Sequence, residues 1–317
     1  MSSGSPAGSR SSKPRTPLHG GVLIVDKPSG PTSHDVVRLA RRAYHTRAVG
    51  HAGTLDPLAT GVLIIGVGEA TKLLHHLSGT DKTYLATIAL GTATDSLDAQ
   101  GQVVERAEVP AGLTLATVAD AARSFLGEQL QRVPAVSAVK QGGVPLYVRV
   151  RRGEDVSAPE RSVVVHGLQV LRVEGDAIDV RVHCSKGFYV RALARDLARA
   201  LGSVGHIRQL RRSASGQFGL DDACACDVLQ AAAAGSVAAP ALIPPAAALR
   251  GQPCATLNAQ GLIEVSHGRS LLLPHIHEPA LPASGSEPVA LVDEQGLLRA
   301  LGRAERERIV VVRGVLS

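Results

Sequence analysis

The sequence predicts an α+β chain, and three observations carry that reading. Two runs of four apolar residues, Val22–Val25 and Val62–Ile65, are the length of buried strands and too short for helices. Segments with apolar residues at helical spacing begin near Ser33, Thr114 and Tyr189. Residues 163–173 and 177–183 flank Glu174-Gly175-Asp176, a turn sequence that predicts a β-hairpin. A chain of 317 residues holds about two domains at roughly 100–200 residues each.

Taken in order, residues 1–18 are Ser, Gly, Pro and basic residues with almost nothing apolar, and read as a flexible tail. The strand at Val22–Val25 runs into a turn-rich loop, Asp26–Pro31. Ser33 is placed to cap a helix reaching Arg42, with Val36, Val37 and Ala40 on its apolar face. Gly50–Gly61 reads as a loop before the strand at Val62–Ile65, and residues 83–90 alternate as a further strand. Helices are expected over Thr114–Leu126 and Tyr189–Leu201, the latter with Val190, Leu193, Leu197 and Leu201 on one side.

All aromatic residues precede residue 220, and an alanine-rich stretch with three prolines at 231–248 reads as a short helix and a linker. Strand candidates at Val289–Val292, Leu297–Leu301 and Ile309–Val312 predict a small β-rich module. Pro274–Pro288 reads as a mobile loop. The boundaries are therefore 1–18 for the tail, 19–248 for the main domain and 249–317 for the module.

Composition excludes several classes. No apolar run approaches the ~18 residues of a membrane span, and no apolar stretch follows Arg10, Lys13 and Arg15 as in a secretory signal. Four scattered cysteines make no disulfide framework, so a reduced, cytoplasmic protein is expected. The net charge of +6 is concentrated: Lys186–Arg212 holds seven Lys/Arg against Asp196, and Arg38–Arg47 holds four arginines and no acid. Such clusters suit phosphate backbones, although an arginine-rich solvated surface fits equally well.

The familiar catalytic motifs are missing. There is no G-x-S-x-G, no H-E-x-x-H and no phosphate-loop sequence; Gly66–Lys72 has the wrong spacing. His75-His76 and His275-x-His277 lack carboxylate or cysteine partners nearby in sequence, so no metal site is expected. The segment Gly50-His51-Ala52-Gly53-Thr54-Leu55-Asp56-Pro57-Leu58-Ala59-Thr60-Gly61 stands apart. Its glycines let backbone approach a ligand closely, and Pro57 fixes the chain just after a carboxylate. Asp56 as a mere turn cap is the competing reading.

Gly50–Gly61 resembles the catalytic loop of the bacterial TruB-type tRNA pseudouridine synthases, which act on uridine 55 of the T arm. Five further blocks resemble that family in order: Asp26–Ser33, Lys82-Thr83-Tyr84 with Gly91–Gly101, Val133–Lys140, Cys184–Arg191 and His206–Arg212. The resemblance covers residues 21–220. Beyond it, residues 249–317 are similar only in length and strand content to a PUA-like RNA-binding domain.

The resemblance implies a largely antiparallel sheet around a central cleft and a cofactor-free isomerisation. In that reaction the uridine N1–C1′ bond breaks, the base turns, and C5 joins the sugar. It makes Asp56 the essential carboxylate, as nucleophile or base, and leaves open sugar attack, base attack or a glycal. Tyr84 is matched to stacking on the uracil and late proton transfer, and Arg191 to the partner of Asp56. His51, Tyr189, Leu210 and Lys27 are matched to the substrate side, with Lys27 a structural or phosphate-side residue. The implied partner is the tRNA T arm alone, for a monomer with no obligatory protein partner and no membrane contact. Assistance to tRNA folding is a second role within the same family. Val136 stands where that family commonly has an aromatic, and Gln141–Pro145 is glycine-rich.

Overall fold

A computed structural model describes residues 20–135, 140–152, 154 and 158–315. The tail expected at 1–18 and the departure at Val136 lie outside the described residues.

Strand β1 (Gly21–Lys27) leads to α1 (Ser33–Ala43), β2 (Val49–Ala52) and β3 (Thr60–Val67). Helix α2 (Leu74–Ser78) precedes β4 (Lys82–Leu90), and the small pair β5 (Thr92–Thr94) and β6 (Val103–Arg106) follows. Next come α3 (Leu115–Arg123), β7 (Gly127–Arg132), the two-residue strands β8 (Lys140–Gln141) and β9 (Val144–Pro145), and α4 (Leu146–Arg151). The expected hairpin is β10 (Glu160–Glu174) with β11 (Ala177–Cys184), followed by α5 (Val190–Ala200) and β12 (Gly205–Ser215). Short β13 (Phe218–Gly219) and β14 (Cys224–Ala225) lead into α6 (Cys226–Ala233). The C-terminal part comprises β15 (Cys254–Thr256), α7 (Ala259–Ser266), β16 (Val289–Val292), β17 (Leu298–Ala304) and β18 (Ile309–Gly314).

The main sheet runs β14-β1-β3-β12-β4-β11-β10-β7, with β2 added on β3 and β13 on β12. Only β1/β14 and β3/β12 pair in parallel, so it is largely antiparallel. In β4 alternation sends Lys82, Tyr84, Ala86 and Ile88 to one buried face. Helices α1, α3, α5 and α6 contribute to the core that includes Tyr84 and Ile88. A second core joins Val22, Ile24, Val62 and Ile64 of the main sheet to Ala290, Val292, Leu298 and Leu301 of the C-terminal strands. The C-terminal sheet, β15-β16-β17-β18, is thus packed against the larger sheet.

Two local readings change, and one strand is not read from the sequence at all. Thr32, not Ser33, caps α1: its hydroxyl accepts from the Asp35 amide at 3.2 Å, and the Asp35 carboxylate accepts from the Thr32 amide at 2.8 Å. The start of the Gly50–Gly61 loop is strand β2, paired with β3 in a register that sets His51 opposite Ile65. Residues 205–215 form an eleven-residue strand at the centre of the sheet. Only part of that strand alternates, and its arginines mask the apolar signal.

Gly61 marks where β3 must pass close to β12. It has φ +100°, and a Cβ there would lie 2.2 Å from the Arg212 carbonyl oxygen. Backbone cannot retreat as a flexible side chain can. Gly61→Ala is expected to destabilise the protein by about 3 kcal/mol or more, read as a lower urea midpoint with unchanged slope.

Candidate active site

The centre of the site is a two-point bridge. Arg191, in the first turn of α5, donates from Nη2 to Asp56 Oδ1 at 3.1 Å and sets Nε 2.9 Å from Asp56 Oδ2. Its Nη1 donates to the Ser96 carbonyl at 2.7 Å, and the Asp98 carboxylate lies 3.9 Å from Nε. The Arg191 side chain is 6% exposed, while Asp56 is 36% exposed and faces the cleft. A planar guanidinium fits a carboxylate in this two-pronged way and fixes its orientation.

Both sides of the bridge are anchored. On the loop side, Leu55 is held by Ser33, whose Oγ accepts from the Leu55 amide at 2.8 Å and donates to its carbonyl at 3.1 Å. Lys27 is fully buried, and its ammonium donates to the carbonyls of Pro28 and Pro31 at 2.8 Å and of Pro57 at 3.2 Å. Burial pulls its pKa down to about 8. Of the two roles the resemblance left open for Lys27, structural or phosphate-side, the geometry fits the structural one: its three donors are spent tying the lysine-proline loop to the residue after Asp56. On the helix side, the buried Gln131 amide accepts from the Tyr189 N–H at 2.8 Å and donates to the Tyr189 carbonyl at 3.1 Å. That clamp fixes the backbone at the N-cap of α5, two residues before Arg191.

Asp56, Tyr84, Arg191, Tyr189 and Leu210 line one cavity of about 250 Å³, with Phe188 and Val190 on the same wall. Tyr84 is buried, and burial raises its phenol pKa against the pull of Arg212. The Arg161 guanidinium stands 5.9 Å from the centre of the Tyr189 ring. His51 is outside this set. It is half-buried on β2, and burial first, then Arg212 and His34, lower its pKa, so it is held neutral.

Two lining residues escaped sequence reasoning. Lys82 and Arg212 are 6% and 1% exposed, and both reach the cavity wall. Arg212 donates from Nε to the Val62 carbonyl at 2.7 Å and from Nη2 to the Gly53 carbonyl at 3.0 Å. Both residues sit in blocks already singled out, but their type reads as surface charge and only the sheet register turns them inward. The same register divides the basic cluster: of its seven cations, Arg191 and Arg212 are interior. Arg195, Arg208 and Arg211 pair with Asp196, Asp176 and Asp26, and Lys186 and Arg199 are exposed. Among the described residues, no helix is long and apolar enough to cross a membrane.

Known proteins resemble this chain over the same region. The TruB family pseudouridylate synthase N-terminal domain matches residues 41–190, and the tRNA pseudouridylate synthase B C-terminal domain matches residues 191–245. A tRNA pseudouridine synthase B of Corynebacterium glutamicum is 42% identical over 283 residues, covering 87% of this chain and 93% of that protein. One from Corynebacterium diphtheriae is 47% identical over 216 residues, covering 66% and 72% respectively. Among solved structures, an H/ACA RNP bound to a substrate RNA containing 2′-deoxyuridine holds a chain with TM-score 0.71 and 25% identity. That match covers 95% of this chain and 86% of the other.

Two outcomes follow from the buried lysines. Lys27→Met leaves three interior carbonyls without their donor and is expected to cost about 3 kcal/mol. Hydrogen exchange should show the amides of residues 50–61 opening first. Lys82 is pulled to about 8, chiefly by burial and then by Arg212. Its unfolded form holds the proton to about pH 10.4, so folding stability from this group rises with pH between those values. Urea titrations from pH 7 to 10 should show that rise in the wild type and a shallower one in Lys82→Met, where Lys27, also held near 8, still contributes.

Proposed function

The chain belongs to the TruB family of pseudouridylate synthases, and from that premise we infer that it isomerises uridine 55 in the T arm of tRNA to pseudouridine. The observation that carries the reading is the Asp56–Arg191 bridge at the wall of a cavity that also holds Tyr84 and Leu210. A carboxylate aimed by a guanidinium, beside an aromatic ring and an aliphatic side chain, is what a uridine isomerase requires.

The target base must leave the folded T loop at a cost of about a few kcal/mol of unstacking. Stacking against Tyr84 returns ~1–3 kcal/mol, and Leu210 adds an aliphatic contact on the same wall. Asp56 then acts on the nucleotide, as nucleophile or as base. The N1–C1′ bond breaks, the base turns within the cavity, C5 bonds to C1′, and the C5 hydrogen leaves as a proton. Tyr189 borders the entry. His51, neutral and half-buried, packs where the loop nucleotides are displaced.

Residues 249–317 act as a PUA-like module that grips RNA beyond the target loop. Lys186 and Arg199, exposed on the α5 side, and Arg42 on α1 are free to meet phosphates. The protein works in the cytoplasm as a monomer, needs no cofactor and requires no protein partner. Assistance to tRNA folding would use the same surface without the chemistry.

The deciding assay is tritium release from a tRNA transcript carrying 5-tritiated uridine, because joining C5 to the sugar expels that hydrogen. Wild type should release one equivalent per tRNA, and a transcript with cytidine at position 55 should release none. Asp56→Asn should be slower by about 10⁴-fold or more while filter binding stays within about threefold of wild type. No release from tRNA that binds would leave only the folding role.

A further inference from the structure

Four cations are buried around the Asp56 loop, and two of them have no partner in the chemistry described so far. Lys27 ties loops together and Arg191 holds Asp56, whereas Lys82 and Arg212 face the cavity itself. Arg212 and Tyr84 are direct cross-strand partners in the β12/β4 register, so their side chains leave the sheet on the same face. Lys82 lies two residues before Tyr84 on that face. Between them sits Gly53, at φ +79°, where a Cβ would come 3.4 Å from Arg212 Nη1 and 3.8 Å from Lys82 Cε. A Cβ at position 53 would stand in van der Waals contact with both cations.

Neither charge is neutralised by the protein. Among the described residues, no carboxylate lies within 4.0 Å of Lys82 Nζ or of the Arg212 guanidinium. Lys82 donates to the carbonyls of Ser78, at 2.7 Å, and Thr80. Arg212 donates to those of Val62 and Gly53 and also hydrogen-bonds the Tyr84 phenol. An ammonium carries three N–H donors and a guanidinium five, so both retain donors after those bonds. The cavity's carboxylate, Asp56, is already forked by Arg191.

We propose that Lys82 and Arg212 form an anion-stabilising pair for the uracil ring during cleavage of the N1–C1′ bond. This rests on the isomerase reading above. When that bond breaks, its electron pair stays with the base, giving a uracil monoanion delocalised over N1, O2 and O4. C1′ is satisfied either by the Asp56 carboxylate or by loss of a C2′ proton to it. C5 then supplies a pair to C1′, its hydrogen leaves as a proton, and N1 regains a proton, so the sum is an isomerisation. Addition of Asp56 to the base would also put the negative charge on the ring. Every route therefore creates a transient anion, and cations fixed in the cavity wall stabilise it more than they stabilise neutral uridine. Lys82, at about 8, remains protonated at neutral pH.

A leaving-group test separates this from a structural role. Fluorine at C5 spreads the uracil negative charge, so a base that carries it needs less help from the protein. Wild type, Lys82→Met and Lys82→Arg are compared in single turnover, with saturating enzyme, on tRNA bearing uridine or 5-fluorouridine at position 55. The readout is disappearance of the starting nucleoside from nuclease digests. Lys82→Met is expected to slow uridine by about 100-fold and 5-fluorouridine by about 10-fold or less, with tRNA binding unchanged. Lys82→Arg should keep the wild-type ratio of the two rates. Arg212→Lys, which keeps the charge, should also preserve that ratio even where its melting temperature falls. Lys82→Gln serves if the methionine variant fails to fold.

Equal losses on both nucleosides, or no loss in Lys82→Met, would overturn the assignment while leaving the isomerase reading intact. A wild type that converts neither nucleoside overturns the isomerase reading, and the assignment falls with it.

Discussion

The bridge between Asp56 and Arg191 joins residues 135 positions apart in the chain, and the rest of the structure is arranged to keep its two halves in register. One half rides on a loop, where backbone is free to come close to a ligand but has little stiffness of its own. That stiffness is borrowed: Ser33 from α1 holds Leu55, Lys27 from β1 holds Pro57, and Arg212 from β12 holds Gly53. The other half rides on the first turn of a helix whose N-cap backbone is clamped by Gln131. A carboxylate displaced by ~1 Å loses much of its catalytic value, which accounts for so many fixed contacts to so short a loop.

These contacts have an electrostatic cost. Lys27, Lys82, Arg191 and Arg212 are each at most 6% exposed, and removing a cation from water costs several kcal/mol before its contacts are counted. Lys27 and Arg191 recover that through three carbonyls and a carboxylate. Lys82 and Arg212 recover only part of it from backbone oxygens, so the unliganded protein stores unfavourable charge at the cavity wall. The two-layer packing tolerates this, because the apolar core of α1, α3, α5 and α6 on the sheet, and the second core under β16 and β17, supply the compensating burial.

Legibility in the sequence followed the type of side chain. Apolar runs and turns located β1, β3, β4, the β10/β11 hairpin and α5 to within a few residues, because burial writes a period into composition. Asp56, Tyr84 and Arg191 stood in motifs whose residue order is itself the signal, and the structure brings all three to one cavity. For Lys27 the residue type left a structural and a phosphate-side role open, and only the three carbonyls around its ammonium separate them. Ser33 looked like a cap because it precedes an apolar face, whereas Thr32 had the better geometry with Asp35 three residues on.

The sequence by itself determined much of the alternation of strands and helices and the loop that carries the carboxylate, since these depend on local spacing and residue type. It could not say which cations turn inward. An arginine's direction in β12 depends on pairing with β3 and β4, strands some 120 to 150 residues away, and a shift of one residue would send Arg212 to the opposite face and Arg211 to the cavity. Only the tertiary structure decides that register, because it is set by which apolar faces are buried together and not by any property of the arginines themselves.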